Sequence, residues 1–322
     1  MNRKDFEASI QTKIDALLKK LDSVSRDIDV LVNEMLTTSN TSNVFWSTLQ
    51  RNLRSCFEDI RMIEKEWIES KLPKEYTEIL KDTISSLKQR VFRLPGLKSV
   101  DDILSTNLSK QSLGAMLNET LSVVYSGIKQ GESTLLRLAT VTQQYLLSEK
   151  AVNDAIARGF LESGTGNASK KRLMEALADK AKNGEYISVI DKNGDTRMYH
   201  IKDYAELVAR TKLTEAASQA VLNTCQISGA DLVGVTSHNT QCAICAEYEG
   251  KIFSISGSDP DFPVLDETPP FHPNCQHQIA TVFKEALIRD GTLERYIAFS
   301  NGDTEVHPTR SGHIPVSERE LH

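Results

Sequence analysis

The sequence is poor in several things that would have narrowed its role at once. No apolar run approaches the roughly 18 residues of a membrane span, which excludes a predicted spanning helix. The chain opens Met-Asn-Arg-Lys-Asp-Phe with no apolar leader, so the expectation is synthesis in a reducing cytoplasm, where paired thiols favour metal over disulfides. No Gly-Lys-Ser or Gly-Lys-Thr accompanies Gly164-Thr-Gly166, so that stretch reads as a linker rather than a phosphate loop. Basic excess is missing too. The net charge is −6, with 21 basic and 20 acidic residues up to residue 150 and 17 basic and 24 acidic after it. Coating nucleic acid requires a basic face, so extensive DNA binding is disfavoured and only transient DNA contact is expected.

What remains is an ordinary folded composition, 39% hydrophobic and 25% charged, over 322 residues, enough for two or more domains. Cysteine is scarce, with five in all, yet three of them cluster. Cys242-Ala-Ile-Cys245 is answered, after 26 intervening residues, by His272-Pro-Asn-Cys275. Two thiolates on a tight turn, completed by a second pair from a distant segment, are the inventory of a tetrahedral structural zinc site. His277 and His238 flank the cluster as alternates, so the ligand set Cys242, Cys245, His272 and Cys275 is a choice among six candidates. A thioredoxin-like centre would need the Cys-x-x-Cys at a strand-to-helix turn, and Glu247-Tyr-Glu249-Gly-Lys does not open a convincing helix. Cys56 and Cys225 each stand alone in an amphipathic pattern and read as buried thiols. The segment between the ligand pairs alternates briefly from Gly250 to Ser256 and then breaks at Pro260, Pro263, Pro269 and Pro270. It is too poor in apolar residues to fold unaided, and metal supplies the closure.

The amino-terminal half reads as long helices. Ile10, Ile14, Leu17, Leu21, Val24, Ile28, Leu31 and Met35 alternate four-three, the seam of a coiled coil or of a long helical hairpin. Its two readings are self-association through the heptads and packing within the chain's own bundle. A polar break at 37–43 precedes a helix over 44–70 that Leu72-Pro73 is expected to stop. Further helices are expected over 75–94, 101–125 and 133–161. Beyond a linker at 163–169, a helix over 170–182 leads to a hairpin in which Tyr186–Ile190 and Arg197–Ile201 flank Asn193-Gly194. A helix over 203–227 ending at Gly229 and a strand over 231–236 then deliver the chain to the first cysteine pair. The fold class is α+β, a mostly helical region followed by a small module with a metal knuckle. The expected partition is 1–162 helical arm, 163–169 linker, 170–290 zinc-bearing α+β module and 291–322 extended or mobile tail.

Tyr204-Ala-Glu-Leu-Val-Ala-Arg-Thr211, Gly229-Ala-Asp-Leu-Val233, Ser237-His238, the Cys242/Cys245 pair, Gly250-Lys-Ile-Phe253 and Pro270-Phe-His-Pro-Asn-Cys275 occur in that order. Together they resemble the phage minor capsid protein 2 family, related to the Mu F-like minor head proteins, over roughly 185–283. The chain departs from that pattern where Gln276-His277 stands in place of an arginine, making His277 a basic substitute or a competing ligand. The resemblance implies a structural head morphogenesis protein, made in the host bacterial cytoplasm. It would sit in the virion at the portal vertex or capsid interior, with the portal or major capsid protein as partner and no membrane. Two enzyme readings stand beside it: a metal-dependent nuclease using His277, and an ADP-ribosyltransferase using Glu247 and Glu249. Four filled zinc positions argue against the first, and an exposed acidic turn is the simpler reading of the second. Arg210 is expected to form a structural or portal-facing salt bridge.

Overall fold

The computed structural model describes residues 3–89, 99–157, 184, 186–190, 195–238 and 240–303. Among the described residues five helices come first, α1 (Arg3–Thr37), α2 (Asn43–Gln89), α3 (Val100–Ser105), α4 (Asn107–Ala157) and α5 (Ile201–Ser228), with a two-stranded hairpin between the last two. A three-stranded sheet and three short helices follow, so the class is α+β, as expected. Among the described residues no helix is long and apolar enough to cross a membrane. The expected linker at 163–169 and helix at 170–182 lie outside the described residues.

The chain divides into two compact units. One comprises Met1–Lys13, Ile68–Thr120 and Leu207–His322; the other comprises Ile14–Trp67 and Leu121–Glu206. In the second unit α1 and α2 form a helical hairpin, with Lys20 Nζ 3.0 Å from Glu66 Oε1 and Trp46 Nε1 donating to Asn40 O at 2.8 Å to close the connection. The four-three seam of α1 is buried in the chain's own interior from Ile10 to Ile28. Near its end the inward position moves from Leu31 to Val32. A straight helix turns every 3.6 residues rather than 3.5, so a long four-three seam drifts off its face. Against α2 lies α4, with Arg61 bonded to Glu132 and Gln143 Nε2 donating to Asn43 Oδ1 at 2.8 Å.

Two expected breaks do not occur. Pro73 lies inside α2 instead of ending it. The missing N–H and ring clash cost about 3 kcal/mol, but Ile68, Leu72, Tyr76 and Leu80 are all buried around it. Each such side chain is worth roughly 1.5–3 kcal/mol on burial, so continuation wins. Likewise α4 runs unbroken where two helices were expected, passing through Gly127 and Gly131. Gly127 is there for space: a Cβ would lie 2.4 Å from the Tyr204 ring, whose hydroxyl donates to Val123 O at 2.9 Å. Gly127→Ala is therefore expected to lower stability by about 1–2 kcal/mol through overpacking. Gly114→Ala, in the same helix with nothing within 4 Å of its Cβ, should instead gain up to about 1 kcal/mol from helix propensity. Thermal melting of the two variants checks the opposite signs.

In the first unit polar pairs set the register of the helices. Lys13 bonds Glu75, and its Nζ also lies 2.8 Å from Glu78 Oε2, while Lys212 Nζ lies 2.7 Å from Glu119 Oε1. Asn223 Nδ2 donates to Tyr76 Oη at 2.7 Å and to Ser112 Oγ at 3.1 Å. Arg210 Nη2 donates to Gln11 Oε1 at 2.6 Å.

Strands β1 (Ile187–Ile190) and β2 (Thr196–Tyr199) pair antiparallel as expected, with Ile187 opposite Tyr199. The turn at 191–194 is outside the described residues. Helix α5 closes on Gly229, at φ +79°, with Ala230 N–H reaching Cys225 O at 3.0 Å. That six-to-one bond over a left-handed glycine is the Schellman stop, and it turns the chain directly into β3 (Leu232–Val235). β3 is the central strand, antiparallel to β4 (Ile252–Ser254) on one side and β5 (Ile279–Val282) on the other. After β5 come α7 (Lys284–Arg289) and α8 (Leu293–Ser300).

The segment 291–322, expected as an extended tail, is helical over Leu293–Ser300. Leu293, Tyr296 and Ile297 pack with Leu232, Ile252, Phe262, Val282 and Leu287, a three-four spacing too short to stand out in the sequence. Ser300 Oγ also accepts the Ile252 N–H at 3.0 Å. Residues 304–322 are outside the described residues.

Candidate metal centre

Sheet topology brings the cysteines together. Because β3 and β5 are antiparallel, with Val235 opposite Ile279, the chain leaving β3 and the chain entering β5 meet at one end of the sheet. Thr236 fastens that end, its N–H donating to Gln278 O and its Oγ1 accepting from Gln278 N–H, both at 3.0 Å. The knuckle returns to the same end, where Gly250, at φ +74°, donates its N–H to Val235 O at 3.1 Å.

Each ligand pair is then closed locally. Cys242 caps a single helical turn, α6 (Ala243–Ala246), that places Cys245 three residues on and on the same side. In His272-Pro-Asn-Cys275, Cys275 N–H bonds His272 O at 3.0 Å and Asn274 takes φ +64°. Proline at the second position and a left-handed Asn at the third are the requirements of a type II turn, which is why those residue types occupy the motif.

The side chains form two groups, Cys242 with Cys245 and His272, and Cys245 with Cys275 and His277. In each, all ligand atoms lie within 4.8 Å of one another. Cys245 belongs to both. Its Sγ is 3.0 Å from His272 Nε2 and 3.9 Å from Cys275 Sγ, and Cys275 Sγ is 3.5 Å from His277 Nδ1. His238 is placed beside these groups rather than in them: its Nε2 contacts Thr236 Oγ1 at 3.0 Å and Gln276 O at 3.2 Å, and its ring packs on His277 with centroids 4.6 Å apart.

The donor set suits a thiophilic ion. Burial and the neighbouring Cys275 and Cys242 push the Cys245 thiol far above its ordinary value, so without a cation this sulfur stays protonated. Burial, with His238 and His272 nearby, holds His277 down at about 4, a neutral imidazole with a lone pair to give. Its Nε2 is buried and makes no hydrogen bond. Three thiols and two imidazoles converging at these distances fit a metal ion.

One residue here departs from the expectation set by its sequence. Glu249, expected on an exposed acidic turn, is tucked in with its side chain only 11% accessible. Its carboxylate accepts the backbone N–H of His238, and that of Thr240 at 2.9 Å, stapling the loop that leads to Cys242. Burial opposes its ionisation, but those two N–H groups, with His277 and His238 beside them, hold it below the ordinary carboxylate range. Tyr248 was also passed over. It stacks on Phe271 at 4.3 Å, tying the knuckle to the second ligand turn. The sequence signal for either is position alone, three and four residues after Cys245.

Long helices leading into a small sheet with a Cys/His knuckle at one end define an α+β protein. The family model for phage minor capsid protein 2 matches residues 54–294, most of the chain. The chain belongs to that family and is a structural phage protein of the capsid. No curated protein and no solved structure matches it.

Proposed function

We propose that the protein acts in head morphogenesis, as a minor component held at the portal vertex or the capsid interior. The family membership over 54–294 carries this reading. Its long helices serve as the arm that meets the portal or major capsid protein, and the sheet module is the part whose shape is held by metal. The ion is zinc, bound structurally through the thiolates of Cys242, Cys245 and Cys275 and an imidazole. When bound it supplies cross-linking of two loops rather than a reactive corner. The α1 seam is buried within the chain, which favours a heterologous partner over self-association through heptads.

Two measurements test the reading. Purified virions should contain this chain at a low copy number comparable to the portal, protected from external protease, by quantitative mass spectrometry. Absence from particles would remove the structural assignment. Purified protein should carry one zinc per chain by elemental analysis, and a metal-free chain with unchanged melting would remove the ion.

A further inference from the structure

The metal reading leaves open which imidazole completes the shell, and the geometry answers it. Zinc–sulfur bonds of about 2.3 Å and zinc–nitrogen bonds of about 2.0–2.1 Å give a tetrahedron whose edges are about 3.8 Å between sulfurs and about 3.5 Å between sulfur and nitrogen. Cys245 and Cys275 already stand 3.9 Å apart, and Cys275 and His277 Nδ1 stand 3.5 Å apart. His272 Nε2, at 3.0 Å from Cys245 Sγ, sits about half an ångström inside such an edge.

Burial divides the ligands in the same way. Cys245, Cys275 and His277 are 1%, 3% and 3% exposed, whereas Cys242 and His272 are half-buried. Orientation agrees as well. His277 turns Nδ1 to the thiols and Nε2 toward Glu249 Oε1, 3.7 Å away. Glu249 cannot swing off, because the His238 and Thr240 amides hold it. Nε2 makes no hydrogen bond at that distance, but the carboxylate charge on that side favours the Nε2–H tautomer, which leaves Nδ1 free for a metal. His272 is also preset, with Nδ1 2.8 Å from Pro273 O, so that Nε2 faces the thiols from the outer side.

Resting on the zinc reading, we infer that Cys245, Cys275 and His277 are the permanent ligands, positioned by Glu249, and that Cys242 and His272 share the outward corner. The site then has five donors for four positions. Either outer residue is dispensable alone, and the ion keeps one exchangeable ligand at the protein surface.

The test uses the full-length protein, zinc affinity by chelator competition, and the zinc X-ray absorption edge, which counts sulfur and imidazole neighbours. His277→Ala should weaken zinc at least about 100-fold. Cys242→Ser and His272→Ala should each cost less than about 10-fold, and the pair together should cost at least about 100-fold. Glu249→Gln should weaken zinc about 10–100-fold with the imidazole still bound. His272→Ala must retain an imidazole neighbour. Loss of that neighbour in His272→Ala, with His277→Ala and Glu249→Gln binding like wild type, overturns the assignment and leaves the zinc reading standing. A wild-type chain that takes up neither zinc nor cobalt(II) overturns both. Should His277→Ala fail to fold, the His272→Ala spectrum and the Glu249→Gln affinity decide alone.

Discussion

Cys245→Ser is expected to abolish stoichiometric zinc and to loosen both loops at the end of the sheet. Cys245 is the only residue common to the two ligand groups, so its loss dismantles both at once. Structural zinc sites bind with apparent free energies of about 10–16 kcal/mol in small peptides, so a bound ion would be the largest single contribution to the order of these loops. The effect should be local. Leu232, Ile252, Phe262, Val282, Leu287 and Tyr296 form a core that owes nothing to the ligands, so the three-stranded sheet should persist. Hydrogen exchange of the serine variant, or of wild type with a zinc chelator, should therefore show fast amides over 236–250 and 270–278 and slow ones in β3. Cys56→Ser, which lies in the other compact unit, should leave zinc content unchanged. Full zinc occupancy and unaltered exchange in Cys245→Ser would rule the ion out as the clamp.

Glu64→Gln should stabilise the protein at neutral and alkaline pH. Glu64 lies in the middle of α2 at 4% exposure, and burial pushes its carboxyl up to about 8. The folded chain therefore holds a proton there that the unfolded chain gives up at about 4.3. A carboxyl whose folded value is raised favours the folded state fully only below its unfolded value. That support is lost progressively as pH rises through the window from about 4.3 to about 8. By pH 7 the loss is roughly 4 kcal/mol. Nearby Tyr204 is raised too, to about 12, by burial first and the Glu64 charge second. Gln keeps the shape and removes the ionisation. Denaturant midpoints measured from pH 4.5 to 8.5 should thus diverge, with wild type falling behind Glu64→Gln as pH increases. Parallel curves would show that Glu64 does not titrate across that range.

Much of the molecule was legible in one dimension. The α1 seam, the β1–β2 pairing, the Gly229 stop and the order strand, knuckle, strand all follow from spacing and turn chemistry, and each is found in the structure. The candidate metal residues were legible for the same reason, since Cys-x-x-Cys and His-Pro-Asn-Cys are both short turns that need particular residues. The misreadings have a common form. The stop expected at Pro73 rests on a local cost, whereas the burial that outweighs it comes from residues on both sides. Leu293–Ser300 reads as tail in the sequence because two helical turns carry little periodicity, and its contact with β4 shows why Tyr296 and Ser300 are there. Glu249 looked like solvent-facing charge because nothing in Glu-Tyr-Glu announces that two backbone amides wait for it.

The sequence by itself determined the helical first half, the small sheet module, the family and the inventory of thiols and imidazoles. Those are properties of neighbours along the chain, where periodicity and turn preference act over a few residues. The tertiary structure alone decided that β3 and β5 run antiparallel and deliver the two ligand turns to one end, that Cys245 joins both groups, and that Glu249 stands behind His277. It also decided that Glu64 is sealed from water. Burial, distance and the field at a carboxylate are sums over segments far apart in sequence, and they take values only once the chain has closed on itself.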